Sequence, residues 1–176
     1  NHAQEKYDYI GVRDCRAAQI LAGGPKSCIY GCLGFGTCVQ VCPFGAISMG
    51  PDRIPVIDPH KCTGCKKCIS ICPRHIIKLV PASQSFLILC SSHDKGKQVK
   101  EVRSIGCIAC QICVKKCPEE AIHMEDSLAV IDPEKCVSCG ICWEKCPQKI
   151  IWADDSGMAS MAEKRPETSE EVSVVK

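Results

Sequence analysis

The sequence contains the stretch Cys62-Thr63-Gly64-Cys65-Lys66-Lys67-Cys68-Ile69-Ser70-Ile71-Cys72-Pro73, in which two, two and three residues separate four cysteines. This spacing, with a proline after the fourth cysteine, is typical of loops whose thiolates bind the irons of a cubane 4Fe–4S cluster. The first three cysteines bind one cluster, whereas the fourth lies too far round the following turn and binds a neighbouring cluster. The stretch therefore requires a second cysteine run elsewhere in the chain.

Three further cysteine-rich runs supply such partners. They are Cys28 to Pro43, Cys107 to Pro118 and Cys136 to Pro147. The first is looser, with three, five and three residues between its cysteines, and its glycines allow an enlarged loop. The sequence Val56-Ile-Asp-Pro-His-Lys-Cys62 returns as Val130-Ile-Asp-Pro-Glu-Lys-Cys136. Internal duplication of a two-run module is therefore the main organising feature of the chain.

The composition favours metal binding over a disulfide scaffold. The chain has 18 cysteines in 176 residues but only three Phe, three Tyr and two Trp, so a conventional apolar core is thin. We find no signal peptide, although the chain starts at Asn1, and closely spaced cysteines make poor disulfide partners. Zinc prefers two well-separated cysteine pairs, which the three intact runs fit badly. No apolar stretch is long enough to predict a membrane-spanning helix.

These patterns predict an α+β fold. We expect two tandem bacterial 2x(4Fe–4S) ferredoxin-like modules with short helices and small β-hairpins, preceded by an N-terminal helix over residues 9–22. Further expected elements are a hairpin over 46–58, a closing strand over 74–80 and a strand over 86–89. The predicted segments are an N-terminal polar segment and helix (1–27), the first module (28–81), a linker segment (82–106), the second module (107–153) and a disordered tail (154–176).

The pairing rule predicts which cysteines bind each cluster, because the last cysteine of each run crosses to the other cluster of its module. The predicted iron ligands are Cys28, Cys32, Cys38 and Cys72 for cluster I; Cys62, Cys65, Cys68 and Cys42 for cluster II; Cys107, Cys110, Cys113 and Cys146 for cluster III; and Cys136, Cys139, Cys142 and Cys117 for cluster IV. Thiolate suits this role because it is a soft, anionic ligand. We interpret Cys15 as a small buried apolar residue and Cys90 as structural.

No motif for catalysis accompanies the cysteine runs. The chain lacks a Rossmann glycine fingerprint, a P-loop and a recognisable nucleophile–base pair, so we predict no catalytic residue. Four clusters without a substrate site predict an electron relay whose two ends contact partner proteins. A structural metal-binding module or a nucleic-acid-binding module is the remaining class, and it lacks a supporting motif.

Several motifs of the first half resemble the B subunit of the Rnf electron-transport complex, a ferredoxin:NAD oxidoreductase coupled to ion translocation across the bacterial membrane. These are Asp14-Cys15-Arg16-Ala17-Ala18, Gly23 to Cys28, Tyr30 to Gly34, Cys42 to Ile47 and Asp94 to Lys97. The resemblance implies that the chain passes electrons from reduced ferredoxin into a membrane-bound complex that reduces NAD. The alternative is a polyferredoxin subunit of another redox enzyme, such as a hydrogenase or ketoacid oxidoreductase.

The resemblance also implies a location at the cytoplasmic face of the membrane, held by partner subunits or by a missing N-terminal anchor. Family members usually begin with a membrane helix and an additional cysteine-rich cluster domain, and both are absent from this sequence. They also tend to carry cysteine at the position of Arg103, where this chain differs.

The uneven charge of the chain suits an acidic ferredoxin as the donor. Residues 1–95 contain 11 Lys and Arg against 6 Asp and Glu, whereas residues 96–153 contain 8 of each. Opposite charge steers docking, so we expect ferredoxin to dock near Lys61, Lys66, Lys67 and Arg74. The alternative interpretation of these cations is an ordinary solvated face.

Overall fold

A computed structural model describes residues 3–163 as a series of short helices and strands. In chain order these are α1 (Cys15–Ile20), α2 (Thr37–Gln40), β1 (Ile47–Met49), β2 (Pro55–Ile57), α3 (Lys67–Ile71), β3 (Phe86–Ile88), α4 (Gly96–Val102), α5 (Ile112–Lys116), β4 (Ile122–Glu125), β5 (Leu128–Ile131), α6 (Ile141–Lys145), β6 (Ile151–Ala153) and α7 (Asp155–Glu163). Helices mix with small antiparallel sheets, so the predicted α+β class is confirmed. No helix within the described residues has the length and apolarity that a membrane span requires.

The duplication is visible as two antiparallel hairpins. Strand β1 pairs with β2, with Ile47 opposite Ile57, and β4 pairs with β5, with Ile122 opposite Ile131. The second hairpin turns through Asp126 and Ser127, which both have positive φ and so match the right-handed twist of the strands. In each half the hairpin lies between two cysteine runs and brings those runs to the same end of the module.

Residues 82–106 are integrated into the fold and do more than connect the modules. Strand β3 pairs with β6, with Phe86 opposite Ala153, and Phe86 is completely buried in the apolar core of the second half. Helix α4 is joined to the N-terminus, because the Gln4 amide donates to the Val102 carbonyl at 3.0 Å. The sequence predicts a linker here because β3 pairs with β6, which lies far along the chain, and local spacing does not reveal such a pairing.

The chain after β6 forms a helix where the sequence predicted a disordered tail from residue 154. Asp154 begins helix α7 by accepting hydrogen bonds from the Gly157 amide at 2.6 Å and the Ser156 hydroxyl at 2.7 Å. A Cβ at Gly157 would lie only 3.0 Å from Ser85 Cβ and 3.2 Å from the ring of Phe86, so glycine suits this close packing. The remainder of the predicted tail, residues 164–176, lies outside the described residues.

Helix α1 is shorter than the predicted helix over residues 9–22. Asp14 adopts an extended conformation and accepts hydrogen bonds from the Arg16 and Ala17 amides at 2.7 and 3.3 Å, which fixes the start of the helix at Cys15. Gly23 and Gly24 both have positive φ and carry the chain away from the end of the helix. The hydrogen bond from the Arg16 side chain is the main reason that the pKa of Asp14 is lowered to about 2, so the cap is ionised at neutral pH.

Replacing Asp14 with alanine should destabilise the start of helix α1 by about 1 kcal/mol, because the two amides lose their acceptor. Unfolding of a cluster-containing protein is irreversible, so the expected readout is the rate at which the visible absorption bleaches in guanidinium. We expect that rate to rise up to about fivefold for D14A. D14N is the control, since its carbonyl oxygen still caps the helix, and equal rates for D14A and D14N would contradict the prediction.

Candidate iron–sulfur sites

All four cysteine runs use the same local geometry. The residue before each short helix has positive φ, and this left-handed turn puts the third cysteine of the run in the first helical turn. The turning residues are Gly36, Lys66, Gln111 and Gly140, and the cysteines that they place are Cys38, Cys68, Cys113 and Cys142. Only glycine adopts this conformation freely, so Lys66 and Gln111 sit there against their intrinsic preference.

The end of each run explains why its last cysteine crosses to another site. Three of the helices end directly at a cysteine in extended conformation, and these are Cys72, Cys117 and Cys146. The change from helical to extended backbone directs the chain away from the loop that precedes the helix. The last cysteine of the first run, Cys42, comes one residue later, after Val41 at the end of α2.

A largely apolar cavity in the first half brings together cysteines of both runs. It is lined by Cys32 and Cys38 of the first run and by Cys72 of the second, as the pairing rule predicts for cluster I. Burial, and after it the negative charge of Cys32, raises the pKa of Cys38 to about 11. The fourth cysteine of this cavity is Cys15, whereas the predicted ligand Cys28 is not among its lining residues.

The predicted ligands of cluster II line a second cavity of the same module. Cys42 of the first run meets Cys62, Cys65 and Cys68 of the second, again through the crossing of a last cysteine. Cys62 and Cys65 are exposed, so this group lies at the surface of the protein. The side chains of Lys66 and Lys67 also line the cavity and are exposed.

The second half repeats the arrangement. Cys117 shares a cavity with Cys136, Cys139 and Cys142, which are the predicted ligands of cluster IV. Burial raises the pKa of Cys142 to about 12 and the pKa of Cys113 to about 11. Negative charge on Cys107, Cys110 and Cys146 adds to this effect of burial on the pKa of Cys113. These three cysteines and Cys113 are the predicted ligands of cluster III.

The chemistry of these groups fits clusters better than single ions. Within residues 3–163 no three His, Cys, Asp or Glu side chains converge as they would around one metal ion. A cubane is larger, and each of its four thiolates binds a different iron. Because burial raises the pKa of several of these thiols, they must release protons when they bind iron.

Cys28 lies in a separate environment. Its side chain is only 1% exposed, and burial raises the pKa of its thiol, which neighbours Arg103, Cys90 and Asp94. The sulfur of Cys90 accepts hydrogen bonds from the Cys107 amide at 3.4 Å and from Arg103 Nη1 at 3.7 Å. Cys90, for which the sequence predicted a structural role, thus accepts two hydrogen bonds. The role of Cys28 as a ligand of cluster I stays a prediction.

Arg74 has a structural role that the sequence did not reveal. Its guanidinium donates to the carbonyl oxygens of Cys28 at 2.6 Å and Gly31 at 2.7 Å, and also to the Gly23 carbonyl and the Gln19 side chain. These bonds connect the end of the second run to helix α1 and to the loop of the first run. Arg74 was expected to dock a partner, and this expectation is wrong because its charged group points into the module.

Comparison with known proteins agrees with this architecture. The profile of the 4Fe–4S dicluster domain matches residues 27–76, and a second profile of the same description matches residues 106–151. Each dicluster domain holds two clusters, so the chain carries four 4Fe–4S clusters, as predicted. The fold and its cysteine groups therefore define a tandem dicluster protein of the electron-transfer class.

Three curated relatives give a narrower assignment. The chain is 50% identical over 134 residues to the B subunit of the ion-translocating oxidoreductase complex of Methanosarcina acetivorans, and the match covers 76% of this chain and 51% of that protein. It is 47% identical over 133 residues to the B subunit of the Na(+)-translocating ferredoxin:NAD(+) oxidoreductase complex of Acetobacterium woodii, covering 76% of this chain and 40% of that protein.

The third relative is the B subunit of the proton-translocating ferredoxin:NAD(+) oxidoreductase complex of Clostridium ljungdahlii. It is 44% identical over 130 residues, which cover 74% of this chain and 46% of the relative. The chain spans about half the length of the curated relatives it matches. The chain belongs to the family of 4Fe–4S dicluster proteins, and about three quarters of it is similar to the B subunits of these ion-translocating complexes.

Proposed function

We propose that this chain accepts electrons from reduced ferredoxin and relays them through its four clusters into a membrane-bound, ion-translocating complex that reduces NAD. Its similarity to three B subunits over about three quarters of its length carries this proposal. The proposed ligands are the cysteine groups described above, and the proposed location is the cytoplasmic face of the membrane, where ferredoxin is available. The clusters supply one-electron transfer, and the chain contributes their positions and a docking surface.

The exposed cluster II group is the proposed entry point for electrons. Its cysteines Cys62 and Cys65 are exposed, and the cations Lys66 and Lys67 extend beside them. Lys61 is also exposed, but its ammonium lies 3.4 Å from the Asp58 carboxylate, which offsets part of its charge. An acidic ferredoxin docked on Lys66 and Lys67 would bring its own cluster near the exposed thiolates of Cys62 and Cys65.

Analysis of iron and sulfide on the anaerobically purified chain, with EPR of the reduced form, tests the relay. Four cubanes correspond to about 16 iron and 16 sulfide per chain. We expect magnetic interaction between the reduced clusters and reduction of the chain by an excess of reduced ferredoxin, which supplies one electron to each cluster. Zinc in place of iron, or a fully loaded chain that ferredoxin does not reduce, would contradict the proposal.

Reversing the charge of Lys66 and Lys67 to glutamate should slow reduction by ferredoxin at low ionic strength. Electrostatic steering raises association rates by about ten- to a thousandfold, so we expect a loss of about tenfold or more for two reversed charges. The loss should shrink as salt is added, because salt screens interactions between exposed charges. Stopped-flow measurement of cluster reduction at several ionic strengths gives both the loss of rate at low salt and its dependence on salt.

The matched control reverses Lys115 and Lys116, two adjacent exposed lysines of the second module. This variant has the same net charge as the first, so it separates docking at cluster II from a general charge effect. If both double variants slow reduction equally, or if neither does, Lys66 and Lys67 are not the docking cations.

A further inference from the structure

We propose that Cys15, rather than Cys28, is the fourth iron ligand of cluster I, together with Cys32, Cys38 and Cys72. The inference rests on the proposed function, since it assumes that this cavity holds a 4Fe–4S cluster. It makes helix α1 part of the first cluster site. It also frees Cys28 from the ligand role that its spacing from Cys32 suggested.

The cavity itself provides the first argument. Cys15 lines it with the other three cysteines, and the rest of its wall is mainly apolar, including Leu33, Ile71 and Ile77. The four cysteines therefore come from three separate parts of the chain. An all-cysteine set around an apolar cavity is the environment that a cubane requires.

Electrostatics place the same residues together. Burial is the main cause that raises the pKa of Cys32 and Cys38, and negative charge on Cys15 adds to it in both thiols, as Cys72 does for Cys32. By contrast, the charged neighbours of the Cys28 thiol are Arg103, Cys90 and Asp94, which belong to the segment after the first module. Arg74 lies close to the thiols of Cys28, Cys32, Cys72 and Cys15 alike. The charges that shift the pKa of Cys28 itself, however, include none of the cluster I cysteines.

The backbone around Cys15 is fixed in a way that a ligand requires. Its amide donates to the Thr37 hydroxyl at 2.7 Å, and Thr37, which is 2% exposed, directly precedes Cys38. The N-terminus of α1 is thereby joined to the helix that carries another ligand. Asp14 caps α1 immediately before Cys15, so the position of this thiol does not depend on long-range packing alone.

Cys28 is held by its main chain instead of its sulfur. Its carbonyl oxygen accepts from Arg74 Nη1 and from the Gly31 amide, at 2.6 and 3.2 Å, and these bonds shape the loop that leads to Cys32. The sulfur of Cys28 is buried toward Arg103, whose Nε and Nη2 have no partner within the described residues. The residue therefore supports the loop through its main chain, and it is not among the residues that line the cavity with Cys32.

Removal of one thiolate has a defined chemical consequence. A [4Fe–4S]²⁺ cluster that loses its fourth thiolate readily releases one Fe²⁺ and becomes [3Fe–4S]⁰. Oxidation by one electron, for example with ferricyanide, then gives [3Fe–4S]⁺, which has a characteristic S = 1/2 EPR signal. Alanine is the substitution of choice, because a serine oxygen can replace the thiolate as a ligand.

The experiment compares C15A with C28A and C90A. Cys15 and Cys90 lie outside the four cysteine runs, and Cys28 begins the loosely spaced one. Each full-length variant is purified anaerobically and analysed for iron, then oxidised with ferricyanide for EPR. We expect about 15 irons with a 3Fe–4S signal in C15A, or about 12 if the whole cluster is lost. We expect about 16 irons, and EPR spectra like those of the unsubstituted chain, in C28A and C90A.

Loss of iron from C28A overturns the inference, whatever C15A does, and so does full iron content in C15A. If C15A does not fold, the double variant C28A/C90A decides: about 16 irons supports the inference, and fewer overturns it. These results differ from failure of the proposed function. That failure would appear in the unsubstituted chain, as absence of iron or as clusters that reduced ferredoxin does not reduce.

Discussion

Replacing Arg74 with methionine should release the loop of the first cysteine run and destabilise the first module. Methionine keeps much of the apolar volume but leaves the carbonyl oxygens of Gly23 and Gly31 without this donor, and that of Cys28 with the Gly31 amide alone. Each buried acceptor left unsatisfied costs about 1–3 kcal/mol, so we expect a total loss of about 3 kcal/mol or more. Burial lowers the pKa of Arg74, while negative charge on neighbouring thiols, first Cys28, opposes this effect.

The expected readout is cluster loss confined to the first module. In guanidinium, roughly a hundredfold faster bleaching of two of the four clusters corresponds to this loss of stability. R74K should recover only part of it, because a single ammonium cannot reach carbonyls on both sides of the loop with the geometry of a planar guanidinium. K78M, which removes an exposed cation a short distance along the chain, is the control. Similar bleaching rates for R74M and K78M would contradict the prediction, because they would show that the hydrogen bonds of Arg74 do not stabilise the first module.

Replacing Phe86 with alanine should have a comparable effect on the second module. Phe86 is completely buried, and its ring packs in the core beneath strand β6 and beside Gly157 of helix α7. Deleting a buried Phe side chain costs about 3–5 kcal/mol, because apolar burial is lost and a cavity remains. The ring also lines the cavity of the cluster IV group, so we expect water to gain access to that cluster.

Rapid bleaching of clusters III and IV in F86A, with clusters I and II unaffected, is the expected result. F86L should retain most of the stability because it keeps an apolar side chain in the core. L89A is the control, since Leu89 is 66% exposed and its removal should change stability little. An F86A variant that bleaches no faster than L89A would mean that β3 contributes little to holding the second module.

Local spacing predicted much of the cluster architecture. The pairing of Cys72 with the first run, and of Cys42 with the second, follows from the geometry of a short helix that ends at an extended residue. The hairpins followed from alternating apolar residues around turn signals, since these depend on neighbours in the sequence. These features could be predicted because every interaction behind them is local or repeats within the duplicated module.

Apart from the start of α1 and the capped helix α7, the predictions that differ from the structure concern long-range contacts. The predicted strand over 74–80 has no strand partner within the described residues, and Arg74 instead reaches back to Gly23 and Cys28. Strand β3 was assigned to a linker because its partner β6 lies far along the chain. Cys15 was interpreted as a buried apolar residue because nothing near it in sequence indicates that Cys32 and Cys38 would share its cavity.

The crossing of cysteines between runs has a consequence for how the protein matures in the cell. Cys72 emerges from the ribosome well after Cys32 and Cys38, yet it lines the same cavity. An iron–sulfur carrier that meets the nascent chain early therefore finds three thiols and no fourth crossing partner. Completion of cluster I must wait until the second run has been synthesised, and the same delay applies to the second module with Cys146. With the proposed ligands, each cluster can be completed only after both runs of its module have been synthesised.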